Sequence, residues 1–249
     1  MKLLKYLLIL IPFLTITSKK STITHQLANY ERVRQAKEFT HKQSQKLFKD
    51  KGLTLSKSKI FIRVFKFEGI LELWAAHNNK DQYTKIKDYP ICAMSGDWGP
   101  KRQQGDFQVP EGFYRISNFN PTSKFHLSMQ INYPNESDKI RTTNPSDPGN
   151  YIMIHGNCVS IGCIAIQDNA IEELYWISLN ASRLNKIPVH IFPCRLNAFR
   201  YKIKRYLKKD NTKQLYFWDE LKKGHDHFQK TKTLPKITTN AKGQYSTQQ

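Results

Sequence analysis

The sequence predicts a mostly β (α+β) domain with helical N- and C-terminal flanks. Three observations carry this reading. The net charge of +20 is spread unevenly over the 249 residues. Residues 1–59 hold 13 basic and 3 acidic side chains, residues 60–194 hold 13 of each, and residues 195–249 hold 14 and 4. The apolar pattern also changes at Ile60, from helical spacing to runs of β-formers. Finally, the runs beyond it are separated by loops dense in Gly, Pro, Asn and Asp. A chain that is 39% hydrophobic and 12% aromatic has material for a sizeable core, which excludes wholesale disorder. The neutral centre argues against a nucleic-acid-binding fold there, because such a domain carries its positive charge in the domain itself.

In chain order, Lys2 and Lys5 precede an apolar run, residues 7–16, broken by Pro12 and Thr15. A short charged start before about ten apolar residues has the shape of a secretory signal, and it is too short for an ordinary spanning helix, which needs about 20. Residues 1–18 are therefore read as a signal peptide or an uncleaved anchor, with export across the inner membrane of a bacterium-like cell. No Cys lies nearby to accept a lipid. Residues 19–59 form a basic helical segment. Within it, residues 25–51 read as a mostly polar helix carrying Leu27, Tyr30, Val33, Ala36, Leu47 and Phe48, and Gly52 is a plausible stop.

Residues 60–194 form the central domain. Strands are expected at 60–67 and 70–76 around a Glu68-Gly69 turn, then at 84–93, 112–119, 125–131 and 151–155. Loops are expected at 95–105 and 132–150. Asp168 is placed to cap a helix running to about 186, with Ile171, Leu174, Tyr175, Ser178, Ala181 and Leu184 near one face. Residues 188–193 read as one more buried strand. Residues 195–249 read as a basic helical extension, then a polar tail from about Lys230. That extension interleaves cations with aromatics (Arg200, Tyr201, Lys202, Lys204, Arg205, Tyr206, Lys208, Lys209, then Tyr216, Phe217, Trp218). It suits either packing on the domain through Leu215, Phe217, Trp218 and Leu221, or attraction to an anionic membrane or envelope polymer.

The chemistry concentrates in residues 151–166. A strand delivers His155 to a sheet edge, and a short turn presents Cys163 eight residues later. A thiol is an effective nucleophile only as thiolate, so it needs a base or a positive dipole beside it. His155 is the candidate base. Gly162 permits close approach to a substrate carbonyl, and the N–H groups around Gly162 and Cys163 are candidate oxyanion donors. Ser160 can fix the turn by hydrogen bonding. A metal site of His155, Cys158 and Cys163 is the alternative, disfavoured by irregular spacing and the lack of CxxC or HxxxH. Of the four cysteines, Cys158 is a second thiol, a redox partner or, the favoured reading, simple packing, and Cys92 and Cys194 are read as structural or incidental. Sequence alone cannot choose among the three possible pairings of four thiols.

The segment HGNCVSIGCIAI resembles the His-Gly…Ser-x-Gly-Cys signature of the L,D-transpeptidase catalytic domain (YkuD type), and its YafK-like branch most closely. Ser95-Gly96, Gly99-Pro100-Lys101-Arg102, Gly105-Asp106, the Pro110–Tyr114 stretch, Phe125-His126-Leu127-Ser128 and Tyr133-Pro134-Asn135 fit the same branch. The resemblance spans residues 60–193. It implies an L,D-transpeptidase-like β-sandwich or barrel and a catalytic set of Cys163, His155, Gly162, Ser160 and Gly156. It further implies attack by Cys163 on the L-centre carbonyl of diaminopimelate in a peptidoglycan tetrapeptide stem. D-Ala leaves, and the thioester passes to an amine, giving a 3→3 cross-link or an anchored protein; the alternatives are a hydrolytic variant (an L,D-carboxypeptidase, or an amidase releasing wall-attached protein) and a non-catalytic wall- or polyanion-binding protein. No metal or organic cofactor is implied, and carbapenems acylate many members. Two positions depart from the pattern: Ile161 stands where many relatives have His, and Ala165 where many have Arg. Lys101, Arg102 and Arg115 are therefore candidates for holding substrate carboxylates, and His126 for lining the site.

Overall fold

The computed structural model describes residues 26–207 and 211–248. The signal or anchor expected at residues 1–18 lies outside them. Helix α1, Glu31–Lys49, leads through a short 3₁₀ turn, Leu55–Lys57, into the strands. These are β1 (Ser58–Phe65), β2 (Ile70–His77), β3 (Thr84–Ala93), β4 (Gly112–Asn120) and β5 (Ser128–Ile131). Helix α2 (Glu136–Arg141) follows, then β6 (Met153–His155), β7 (Ile164–Ile166), helix α3 (Asp168–Ser182) and β8 (Pro188–Phe192).

The eight strands close into one barrel in the order β1-β2-β3-β7-β6-β5-β4-β8. Most neighbours are antiparallel, but β1 pairs with β8 in parallel and so does β6 with β7. Closure leaves no free edge, so His155 sits at the end of an interior strand, between β5 and β7, rather than at a sheet edge. Strands β1 and β2 are buried along most of their length. Ile60, Ile62, Val64, Leu71, Leu73, Ile154 and Ile191 all belong to its core. Each fully buried aliphatic side chain of this size stabilises the fold by about 1.5–3 kcal/mol relative to exposure.

Helix α3 is buried over more than one face, because the barrel lies on one side of it and α1 on the other. On the α1 side, Trp176 Nε1 donates to His41 Nδ1 at 3.0 Å. Its N-cap is Gln167, not Asp168, and it ends at Ser182 rather than near 186. The loop expected over residues 132–150 contains α2, held by a reciprocal capping box between Asn135 and Asp138. The strand expected from Phe125 begins only at Ser128, since His126 adopts a left-handed φ of 67°.

Beyond β8, helices α4 (Phe199–Leu207) and α5 (Thr212–Thr231) are followed by a hairpin of β9 (Lys236–Thr239) and β10 (Tyr245–Gln248). The region expected as a polar tail is thus ordered. Tyr245 is buried, and its hydroxyl accepts from Asn135 Nδ2 at 2.7 Å. Phe217, Trp218 and Leu221 of α5 pack with Phe65, Phe192 and Cys194 in a second core at this end of the barrel. Among the described residues, no helix is long and apolar enough to cross a membrane.

Candidate active site

Strands β6 and β7 run side by side, with Ile154 opposite Ile164 and His155 opposite Ala165. The eight residues between them, 156–163, make a turn that returns Cys163 to the head of β7, two residues before the partner of His155. Ser160 organises this turn. Its Oγ accepts from the Cys163 N–H at 2.9 Å and the Gly162 N–H at 3.3 Å, and donates to the Cys163 carbonyl at 2.7 Å. The two amides expected to await an oxyanion are therefore occupied by the serine hydroxyl in this state. Gly162 has φ of 125°, a conformation closed to side chains, and an added Cβ would stand 3.4 Å from the Gln108 carbonyl oxygen.

Gly156 serves a different end. A Cβ there would meet Asp168 Oδ1 at 2.5 Å and Ile171 Cγ2 at 2.9 Å. Its absence lets the first turn of α3 approach, and Asp168 Oδ1 then accepts from the Asn157 N–H at 2.7 Å. Asp168 thus ties the helix to the turn instead of capping the helix.

His155 is buried. Its Nδ1 lies 2.5 Å from the Gly156 carbonyl oxygen, a pairing that requires a proton on Nδ1. The neutral ring then carries its lone pair on Nε2, as a general base needs. Burial lowers the imidazole's pKa, partly offset by the Gly156 carbonyl. Phe125 lies against the ring, centroids 4.8 Å apart.

Cys163 is a free thiol, and its Sγ lies 3.8 Å from the Tyr151 carbonyl oxygen. Burial raises its pKa, while the Met153 backbone and the Lys101 ammonium pull the other way without prevailing. Burial thus favours the uncharged form of both groups.

The other predicted residues divide. Lys101 is buried near the thiol, but its Nζ is already engaged by Asp106 Oδ1 at 2.7 Å and the Gln103 carbonyl at 2.8 Å. Arg102 faces away from the turn, 4.8 Å from the Phe217 ring centroid and 3.8 Å from Asp138. Arg115 is exposed on β4, which pairs with β5 and β8, and no ion pair links it to the turn among the described residues. His126 does border the turn: its Cβ is 3.1 Å from where a Gly156 Cβ would lie, and its Nε2 pairs with Glu172 of α3 at 2.8 Å. Ala165 is fully buried between β3 and β6, which leaves no room for an arginine without repacking, and Ile161 is 80% exposed.

Cys158 is bonded to Cys92 on β3, which corrects the reading of Cys158 as simple packing and makes Cys92 structural, one of the two readings it was given. This also removes Cys158 as a metal ligand. Among the described residues, no group of three His, Cys, Asp or Glu side chains is placed to hold a metal. Asp106, which is not among the expected site residues, organises the loop beside the turn. Its carboxylate collects Lys101 and the N–H groups of Arg102, Gln103 and Gln108, and so shapes the loop that brings the Gln108 carbonyl to Gly162. Its place after Gly105 in a polar loop was the available signal.

The closed barrel and the glycine-bent cysteine turn define a β-barrel protein with a candidate cysteine–histidine site. Residues 72–191 match the L,D-transpeptidase catalytic domain, YkuD. The chain is 35% identical over 185 residues to YafK of Escherichia coli strain K12, a protein named only provisionally as an L,D-transpeptidase; the match covers 73% of this chain and 71% of YafK. The same values hold for YafK of Escherichia coli O157:H7. Among solved structures, similarity extends to the helical cell shape determining protein Pgp2 of Campylobacter jejuni, with a TM-score of 0.43, 20% identity and coverage of 74% of this chain and 73% of that one. It extends also to Bd1075 of Bdellovibrio bacteriovorus, with a TM-score of 0.41, 22% identity and coverage of 75% and 79%. The chain belongs to the L,D-transpeptidase (YkuD) family, whose members act on peptidoglycan stem peptides.

Proposed function

We propose that this chain is a cysteine L,D-transpeptidase in which Cys163 is the nucleophile and His155 the general base. The observation that carries the reading is the orientation of the imidazole. With Nδ1 committed to the Gly156 carbonyl, Nε2 is the nitrogen able to take a proton from the thiol. Arrival of a stem peptide displaces water, and the proton moves from Sγ to Nε2 as sulfur attacks the L-centre carbonyl of diaminopimelate. Collapse of the tetrahedral intermediate breaks the amide bond to D-Ala, and the imidazolium returns the proton to the departing amine. An acceptor amine then attacks the thioester with His155 again as base, giving a 3→3 cross-link or an anchored protein. The Gly162 and Cys163 amides serve the oxyanion once the substrate oxygen replaces the Ser160 hydroxyl. No step calls on a metal or cofactor.

The test is incubation with disaccharide-tetrapeptide, with and without an acceptor amine, followed by mass analysis for loss of D-Ala and for 3→3 dimers. Cys163→Ala abolishes both products, and His155→Gln lowers turnover by about 10²-fold or more. Intact mass after carbapenem exposure shows one adduct, on Cys163. Full turnover by Cys163→Ala overturns the mechanism. Loss of D-Ala that never yields dimers, whatever the acceptor, assigns a hydrolase instead.

We infer further that the chain works outside the reducing cytoplasm. The charged, then apolar start of the sequence supports export, and so does the Cys92–Cys158 bond, since such bonds persist in oxidising compartments. Fractionation of cells followed by thiol labelling of the isolated protein checks this: an exported chain exposes two thiols, Cys163 and Cys194, when unfolded without reductant.

A further inference from the structure

One contact joins the N-terminal helix to the candidate site from outside the matched family region. Arg32, in the first turn of α1, directs Nη1 to two main-chain carbonyls, that of Ser123 at 2.6 Å and that of His126 at 2.7 Å. These carbonyls bracket Phe125, whose ring lies 4.8 Å from the His155 imidazole at an interplanar angle of 34°. The backbone between them is shaped for the purpose. His126 takes a φ of 67°, a conformation uncommon outside glycine, and the Phe125 N–H donates to Ser123 Oγ at 3.1 Å. The far side of the segment is held by Glu172 of α3 through His126 Nε2.

We propose that Arg32 is a positioning residue for His155: by pinning both carbonyls that flank Phe125, it holds that ring over the imidazole and keeps water from it. A guanidinium suits this role because a single nitrogen offers two N–H donors at fixed angles, which an ammonium on a flexible stem does not reproduce. The cover matters because His155 must stay neutral to act as base, and its burial is what lowers its affinity for a proton. Of the charged and titratable groups nearby, His126 before β5 and Asp168 on α3 border Gly156, the residue after His155; Glu172 on α3 pairs with His126, and Lys101 in the loop before β4 acts on Cys163 of the turn. Arg32 itself, on α1, reaches the segment from its other side. On this reading α1 completes the catalytic unit, and a domain cut at residue 60 would lack part of the support for its base.

The inference rests on His155 being the base, but its readout does not depend on turnover. The imidazole of His155 is titrated by NMR in the full chain, its signal assigned by loss in His155→Gln. In Arg32→Ala the midpoint moves up by about half a pH unit or more toward that of a free histidine, as the ring gains water. Arg32→Lys recovers only part of the difference. Phe125→Leu produces the same rise with Arg32 intact, and adding Arg32→Ala to it produces little more. On stem peptide, the acid limb of the kcat/KM profile moves up with the imidazole, and the rate at its plateau falls about tenfold or less. An unmoved His155 midpoint in a folded Arg32→Ala overturns the proposal, as does independent addition of the two substitutions. If Arg32→Ala does not fold, Phe125→Leu and Arg32→Lys decide it by the same titration. A wild-type chain inert toward every stem peptide sinks the transpeptidase reading and leaves the titration to judge Arg32 by itself.

Discussion

Cys163 and His155 show how one physical factor acts oppositely on two groups. Burial penalises the charged form of each, raising the thiol and lowering the imidazole. An ion pair kept ready in the resting enzyme would hold an acylatable thiolate in all conditions, whereas a neutral pair ionises sulfur only as a carbonyl arrives. The expected consequence is measurable with a small alkylating agent. Because the thiol's pKa lies above that of an ordinary cysteine, its reaction with iodoacetamide accelerates as pH rises through and beyond the range where free cysteine has already levelled off. There is no fast plateau near neutrality, as a standing thiolate–imidazolium pair gives. A rate flat from pH 6 to 9 contradicts the neutral pair. Lys101 opposes the burial of the thiol, and Lys101→Met moves the profile further toward alkaline pH.

At the scale of elements, the turn that carries Cys163 is fastened at several points: by Ser160 within it, by Asp168 of α3, and by the bond from Cys158 to Cys92 on β3. The disulfide closes a loop across 66 residues of sequence, for which chain entropy alone gives a stabilisation of roughly 4 kcal/mol, an upper figure if the reduced chain keeps structure. Cys92→Ser/Cys158→Ser is expected to lose about 2–4 kcal/mol in urea unfolding. Its kcat falls more than its KM rises, because the turn that presents Cys163 loosens; addition of reductant to wild type reproduces both effects, and neither appears if the bond is incidental. The sequence made this turn legible because His, Ser, Gly and Cys are chemically distinctive at close spacing, and the long strands were legible through their β-branched and aromatic runs. The disulfide was hidden because pairing depends on β3 lying next to β7, a long-range fact. Short elements were missed for a related reason. β7 has three residues and α2 six, too few for any period to register, and the capping signal at Asn135 and Asp138 was embedded in a loop-like composition. The closing hairpin looked like a tail because its strands are polar apart from Tyr245 and Ile237, which tertiary contacts bury wholly or in part.

Over the whole molecule, the C-terminal helices are joined to the barrel by apolar packing and by charges withdrawn from water. Glu111 is fully buried and accepts from Lys66 Nζ, the Gly99 N–H and Trp218 Nε1. Around Arg63 the same junction buries two histidines, His190 on β8 and His225 on α5, and burial pushes them down to about 3 and about 4. The unfolded chain therefore binds protons at these positions from about pH 6.5 downward while the folded chain refuses them, so stability falls as pH drops through that window. Asp138 works in the opposite sense. Burial pushes it up to about 6, so the folded chain takes up its proton before the unfolded one does and regains part of the loss. At pH 5 the two histidines together cost about 4 kcal/mol and Asp138 returns a little over 1, a net loss of roughly 3 kcal/mol relative to pH 7. Urea unfolding at pH 7, 6 and 5 is expected to show that decline well above the acid range in which paired carboxylates titrate. His225→Phe, which keeps a ring against Phe65 and Phe192, removes about two-thirds of the pH dependence. A stability unchanged between pH 7 and 5, in wild type and variant alike, means that the junction between helices and barrel opens to admit the protons, and that the C-terminal extension is not held to the barrel as tightly as its packing indicates.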